Sequence, residues 1–229
     1  MTADRRKILD AYKDLRVADV RDGLDCLGYH AQYSMDPTIR PLARMRAYGI
    51  AKTCRYLPYQ GKIPKLTPEE YWEWSGMYYN KICTYPWVDE IQEGDFIVID
   101  MSGQNVGLMG SENTLNCVRK GARGFVSNGG VRDTDEIIMQ KIPFWSVIVS
   151  QCMVQGRLQY ESHNKPVTVG GVEVSPGDVV MADGDGVVVV PEKLALDVAR
   201  LANEEHERDK KRRGEHYRAL GLKLDDTVT

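Results

Sequence analysis

The chain lacks the cysteine spacings that carry chemistry. Its five cysteines (Cys26, Cys54, Cys83, Cys117 and Cys152) are scattered, and none forms a CxxC pair. An odd, dispersed set behind the opening Met-Thr-Ala-Asp-Arg-Arg-Lys argues against a disulfide framework and for reduced, buried, structural thiols in the cytoplasm. No apolar run reaches the length of a membrane span, and the N-terminus has no signal-type apolar segment. The histidines His30, His163, His206 and His216 make neither an HxxxH nor a His-Cys set, which argues against zinc. No glycine-rich GxGxxG or P-loop follows a strand, so no nucleotide cofactor and no S-adenosylmethionine site is implied. Thirty basic residues against 33 acidic ones leave a net charge of −3, which argues against a dominant nucleic-acid-binding face.

A chain of 229 residues, 42% hydrophobic, has material for one large core or two small ones. Helices are expected over 4–15, with Ile8, Leu9, Tyr12 and Leu15 on one face, and over 17–27, stopped by Gly28. Strands are expected at 48–56, 96–100, 124–128 and 145–150. Between them lie helices at about 112–120 and after Thr134, with Thr134 as N-cap. The last third reads as β-rich: a hairpin around Gly170-Gly171, turns at Pro176-Gly177 and Asp183–Gly186, then a helix at about 191–220. Asp183 and Asp185 lack full EF-hand spacing and read as turn residues. Residues 58–86 differ in composition, with Tyr71, Trp72, Trp74, Tyr78, Tyr79 and Tyr85 close together. They read as an inserted helical lid or a subunit contact. Strands alternating with helices, then hairpins, indicate an α/β fold of layered sheets with flanking helices.

The densest chemistry is in Gly124-Phe-Val-Ser-Asn-Gly-Gly-Val-Arg-Asp133. An apolar strand runs into Gly129 and Gly130, expected to turn sharply, and delivers Arg132 beside Asp133. Arg132 is a bidentate donor suited to a carboxylate, and Asp133 is a hard oxygen ligand for a divalent cation. In isolation the pair reads equally as a surface salt bridge.

The order and spacing of several segments identify a family. Ala18–Gly28, Asp36–Pro41, Gly124–Asp133, Pro176-Gly-Asp-Val-Val and Asp183–Pro191 together resemble the RraA-like proteins, which include class II 4-hydroxy-4-methyl-2-oxoglutarate (4-carboxy-4-hydroxy-2-oxoadipate) aldolases. The resemblance implies a single domain over 1–229, a layered α-β-β-α sandwich of the swivelling, phosphohistidine-domain-like type. Residues 58–86 fall outside it as an insertion. It also implies homotrimers or homohexamers, Mg2+ or Mn2+, and cleavage of a 2-oxo acid to pyruvate or decarboxylation of oxaloacetate. Some relatives are regulators that bind a ribonuclease or helicase, and a sugar acid or keto-sugar is the other substrate class the aromatic insertion suggests.

Carried across by position, the resemblance makes Arg132 the group that binds the substrate and stabilises the enolate, and Asp133 the metal ligand. Met109, Gly110, Ser111, Glu112 and Asn113 form the loop that holds the pyruvyl carboxylate. The aldolases carry an acid with twenty residues between it and the Arg-Asp pair; counting back from Arg132 gives Ser111. Glu112 stands one place late and, beside a bound carboxylate, is expected to point elsewhere. Ser111 is then either a helix N-cap or a hydrogen-bonding partner of a metal-bound water. Glu204, with Arg208 one turn on, is the candidate outer-shell acid reaching a neighbouring subunit's metal; the same residues read equally as a solvated helix face.

Overall fold

The computed structural model describes residues 2–228. In chain order the elements are α1 (Ala3–Ala11), α2 (Val17–Cys26), β1 (Arg40–Pro41), β2 (Ala47–Pro58), α3 (Pro68–Lys81), β3 (Asp95–Asp100), β4 (Gly107–Met109), α4 (Ser111–Arg119), β5 (Ala122–Val131), α5 (Thr134–Met139), β6 (Phe144–Val149), β7 (Leu158–His163), β8 (Val167–Val169), β9 (Val172–Val174), β10 (Val179–Ala182), β11 (Val187–Val190) and α6 (Ala195–Ala219). Pro86–Glu90 and Glu192–Leu194 are short 3-10 turns.

One nine-stranded sheet runs β1-β6-β5-β3-β2-β10-β11, with β4 added beside β5 and β7 beside β2. β2, β3, β5 and β6 are parallel, whereas β7 and β10 lie antiparallel to β2. The parallel strands are joined through α3, α4 and α5, as parallel pairing requires. Side chains alternate across the sheet. Phe96 and Val98 of β3, Val126 of β5, Val180 of β10 and Val187 and Val189 of β11 share one apolar cluster with the β8-β9 hairpin. The opposite side of the same strands divides in two. Ile97, Ile99 and Phe125 pack with Cys117 of α4 and Ile137 of α5. Val179, Met181, Val188 and Val190 pack under α1, α2 and α6. A curled sheet thus encloses one core, and two groups of helices cover its outer side.

Local sequence accounts for most element ends. Thr67 and Glu70 form a reciprocal capping box at the start of α3, with Pro68 in the first turn. Gly170 and Gly171, at φ 57° and 75°, make the tight β8-β9 turn. α1 ends at Ala11 rather than 15. Tyr12 is its C-cap, buried, and its hydroxyl donates to the Ala195 carbonyl at 2.8 Å. α6 begins at Ala195, after the 3-10 turn that follows Pro191. Of the thiols, Cys54, Cys83 and Cys117 are buried, but Cys26 is exposed at the end of α2, so burial does not hold for every cysteine. Among the described residues no helix is long and apolar enough to cross a membrane.

Candidate active site

β5 continues to Val131, so Gly129 and Gly130 lie inside the strand and do not turn the chain. They permit close approach instead. A Cβ on Gly129 would stand 2.6 Å from Met101 Cβ, and one on Gly130 would stand 2.6 Å from the Val106 carbonyl oxygen. The turn falls at Asp133, which has left-handed backbone angles (φ 52°, ψ 41°). Aspartate tolerates that region better than most residues, at a cost of order 1–2 kcal/mol. Asp133, not Thr134, is the N-cap of α5, and its carboxylate makes no capping bond to that helix. It faces α4 instead, where the Ser111 amide donates to Oδ2 at 3.2 Å.

Two glycines shape the floor. The Arg132 amide donates to the Met109 carbonyl at 3.0 Å, which holds β5 against β4. A Cβ on Gly107 would stand 2.7 Å from both Cβ and Cγ of Arg132. A Cβ on Gly110 would fall inside 3.0 Å of Asp133 Oδ2 and 3.1 Å from its Cγ. Glycine at 107 and 110 is therefore what leaves room for the two charged side chains. Arg132 Nε lies 3.5 Å from Asp133 Oδ1, and each side chain is about one-third exposed (32% and 35%).

The pair opens into a cleft of about 430 Å³. Gly110, Glu112 and Asn113 from the start of α4 line it together with Tyr79, Tyr85 and Leu108. Gly110 is the N-cap of α4, and the first helical bond runs from the Thr114 amide to the Gly110 carbonyl at 3.0 Å. The amides of Ser111, Glu112 and Asn113 thus belong to the helix's unbonded first turn, which attracts anions. Asp133 takes the first of them.

Among the residues singled out from the sequence, Arg132, Asp133, Gly110, Glu112 and Asn113 converge on this cleft. Glu112 lines the cleft: α4 starts at Ser111, so residue 112 sits in the first turn at the cleft edge. Met109 is 1% exposed and its side chain belongs to the core. Ser111 is the first helical residue rather than the N-cap, and it contributes its amide. Glu204 is absent from the cleft; it pairs with Arg200 at 2.9 Å on α6, and Arg208 pairs with Glu205.

Tyr79 and Tyr85 are the site residues that local motifs do not reveal. The phenol of Tyr85 donates to the Leu108 carbonyl at 3.0 Å, and burial pushes its pKa well above the usual tyrosine value. Trp72, a stacking candidate by sequence, is 68% exposed and lies outside this cleft. Trp74 packs against Tyr71 and Tyr78.

No group of three or more His, Cys, Asp or Glu side chains among the described residues forms a metal cage. Mg2+ and Mn2+ do not require one, because a hydrated hard cation is held by one or two carboxylates and completes its shell with water. Asp133, seated over a glycine that spares it a clash, with Glu112 on the same cleft, fits that kind of site.

The sequence matches the RraA-like family (Aldolase/RraA) over residues 17–189. It is 28% identical over 176 residues to protein DlpA of Legionella pneumophila, covering 76% of this chain and 26% of that one. It is 29% identical over 128 residues to a protein of Halalkalibacterium halodurans named as a proposed 4-hydroxy-4-methyl-2-oxoglutarate aldolase, covering 54% and 59%. The chain thus spans about a quarter of the first relative's length and about three-fifths of the second's. Among solved structures, an uncharacterized protein of Pseudomonas syringae superposes with a TM-score of 0.75 at 26% identity, over 98% of each chain. Streptomyces coelicolor RraAS2, described as an unusual member of the RNase ES inhibitor RraA family, gives 0.72 at 25% identity, over 90% and 96%. With the match spanning most of the chain and a curled α/β sheet in common, this protein belongs to the RraA-like family.

Proposed function

We propose that this chain is a divalent-metal-dependent carbon–carbon lyase acting on a small 2-oxo acid at the Arg132–Asp133 cleft. The observation that carries the reading is the glycine-cradled pair: one fixed guanidinium and one carboxylate, placed together at the N-terminus of α4. The name of the Halalkalibacterium relative supports the same reaction class.

In this reading the substrate carboxylate lies between the Arg132 guanidinium and the first-turn amides of Glu112 and Asn113. Asp133, with Glu112 nearby, would hold Mg2+ or Mn2+, which would supply Lewis-acid polarisation of the 2-oxo group. Glu112 accepts the proton of the substrate's 4-hydroxyl. Tyr85 does not, because burial keeps its phenol protonated and that proton is committed to Leu108. The 4-oxygen then forms a carbonyl with C4, and the C3–C4 bond breaks. Its electron pair becomes the C2–C3 double bond and the 2-oxo π pair moves onto the oxygen, giving the enolate of pyruvate and a second oxo acid. Arg132 offsets that charge until C3 is protonated. With oxaloacetate the bond broken is the one to the departing carboxyl group.

The fold's outer helices and curled inner sheet support the sandwich description of the swivelling type, with residues 58–86 as an insertion in one domain. Exposed apolar side chains on α4 (Leu115, Val118), α5 (Ile138, Met139) and β6 (Val147, Val149) support a homo-oligomer, trimer or hexamer. Glu204 would act only across such an interface. A purely regulatory role, suggested by the RraAS2 likeness, would leave the cleft without turnover.

The test is to incubate the protein with Mg2+ and either 4-hydroxy-4-methyl-2-oxoglutarate or oxaloacetate and to follow pyruvate. Turnover is expected, and Arg132→Ala is expected to lower it by about 10²–10³-fold. No pyruvate from either compound ends the reading.

A further inference from the structure

Two phenols line the cleft, and they differ in what holds them. The Tyr85 hydroxyl donates to the Leu108 carbonyl at 3.0 Å. Nearby tyrosines are committed in the same way: Tyr56 donates to the Thr84 carbonyl at 2.8 Å and Tyr78 to the Leu158 carbonyl at 2.7 Å. Tyr79 is different. It stands in the last turn of α3, half-buried, with its ring packed on the core beside Tyr85. The two ring centroids are 6.4 Å apart at 32°. Among the described residues the Tyr79 hydroxyl has no hydrogen-bond partner, yet it is not a buried unsatisfied atom, so it is open to solvent.

The surroundings of Tyr85 help to locate that hydroxyl. Burial first, and then Cys83, Tyr79 and Cys54, raise the Tyr85 pKa, while the Arg132 guanidinium lowers it. The Tyr85 phenol is thus within electrostatic reach of both Tyr79 and Arg132.

The lyase reading needs a free acid in this place. Glu112 takes the 4-hydroxyl proton early in the reaction, but C3 of the enolate must gain a proton at its end. Arg132 stays charged throughout, and Asp133 is the residue assigned to the cation. The Tyr85 proton is committed to Leu108. Of the side chains that line the cleft, Tyr79 is left with an acidic hydrogen that no protein group holds.

We infer, on the basis of the 2-oxo acid reading above, that the Tyr79 hydroxyl protonates C3 of the enolate. The enolate oxygen's pair re-forms the C2 carbonyl, and the C2–C3 π pair takes the Tyr79 proton as a new C3–H bond. The phenol O–H bond breaks and leaves a phenolate. That phenolate regains a proton from the Glu112 carboxyl, which holds the one taken from the substrate. Oxaloacetate brings no such proton, and solvent supplies it instead. The insertion 58–86 thereby contributes a catalytic group.

The test follows exchange of the pyruvate methyl protons with D2O by NMR, using the full-length protein with Mg2+. Exchange runs this proton transfer in both directions and needs no C–C cleavage. Wild type is expected to exchange the methyl group. Tyr79→Phe is expected to slow exchange by about 10²-fold or more, with pyruvate affinity by calorimetry unchanged. Its Tm should also stay at the wild-type value, because the lost hydroxyl bonds no protein group. Trp72→Ala, on the exposed part of α3 outside the cleft, should leave exchange unchanged. Exchange that survives Tyr79→Phe overturns the inference and gives the proton's return to Glu112, while the 2-oxo acid reading stands. Loss of pyruvate affinity in step with exchange also overturns it, since Tyr79 then binds rather than protonates. So does a wild type that binds pyruvate without exchanging it. A wild type that neither binds nor exchanges pyruvate removes the 2-oxo acid reading itself, and this inference with it.

Discussion

Gly110→Ala is a one-methyl perturbation aimed at the centre of the site. The Gly110 backbone (φ −131°, ψ −173°) is ordinary extended geometry, so alanine meets no backbone strain. The new Cβ would instead fall inside 3.0 Å of Asp133 Oδ2, 3.1 Å from its Cγ and 3.4 Å from Arg132 Cγ. The carboxylate must swing aside, which breaks its bond from the Ser111 amide. A hydrogen bond to a charged acceptor contributes about 1.5–3 kcal/mol, less for a carboxylate one-third open to water, so about 1–2 kcal/mol is lost. In a chain of this size that lowers Tm by about 2–8 °C. Misplacing a reacting group by about 1 Å costs on the order of 10²-fold in rate, so turnover falls far more than stability does. Gly76→Ala is the control. It lies in α3 with no heavy atom within 4 Å of its new Cβ, and it should stabilise by about 0.4–1 kcal/mol without touching activity. Pyruvate release and thermal unfolding followed by circular dichroism read both effects. Full activity in Gly110→Ala would refute the cradle.

Gly107→Ala should act on the other charge. Its Cβ would press within 2.8 Å of Arg132 Cδ, so affinity for pyruvate should weaken about tenfold or more by calorimetry. Away from the site, Glu90 accepts bonds from Asn164, His163 and Lys52, which lower its carboxyl pKa to about 2. A depressed folded-state value means this stabilisation is complete above the unfolded value near 4.3 and is lost as pH falls towards about 2. Glu90→Gln should therefore flatten the acid limb of a Tm-against-pH profile between about pH 4 and 2. Burial pushes the Cys83 and Cys117 thiols up to about 12, whereas Cys26 is exposed. A disulfide reagent should label Cys26 in the native protein and reach Cys83 and Cys117 only after unfolding, as read by peptide mass.

What the sequence reveals here follows the range of the interactions. The Gly170-Gly171 hairpin, the capping box at Thr67 and the strand leading to Arg132 depend on neighbours in the chain, and the motifs show them. The strand ends are less legible. Gly129 and Gly130 look like a turn, yet their small size serves the approach of Met101 and Val106, a contact between separate segments. Asp133 rather than Thr134 takes the N-cap position of α5, through its left-handed backbone, while its carboxylate accepts from the Ser111 amide of another helix. Tyr79 is held near the cleft with α3 anchored through Tyr78 to β7, and Tyr85 is tied to Leu108; no local pattern marks either placement. The place of Glu112 depends on α4 starting one residue earlier than periodicity indicates.

The central claim is that Asp133 and Arg132 together form a divalent-cation and 2-oxo acid site. Titrating Mn2+ by electron paramagnetic resonance, with and without pyruvate, tests it directly in wild type and in Asp133→Asn. The account predicts that pyruvate tightens Mn2+ binding in wild type and that Asp133→Asn loses both the ion and the coupling. Equal Mn2+ affinity in the two proteins, or wild-type binding indifferent to pyruvate, would contradict it.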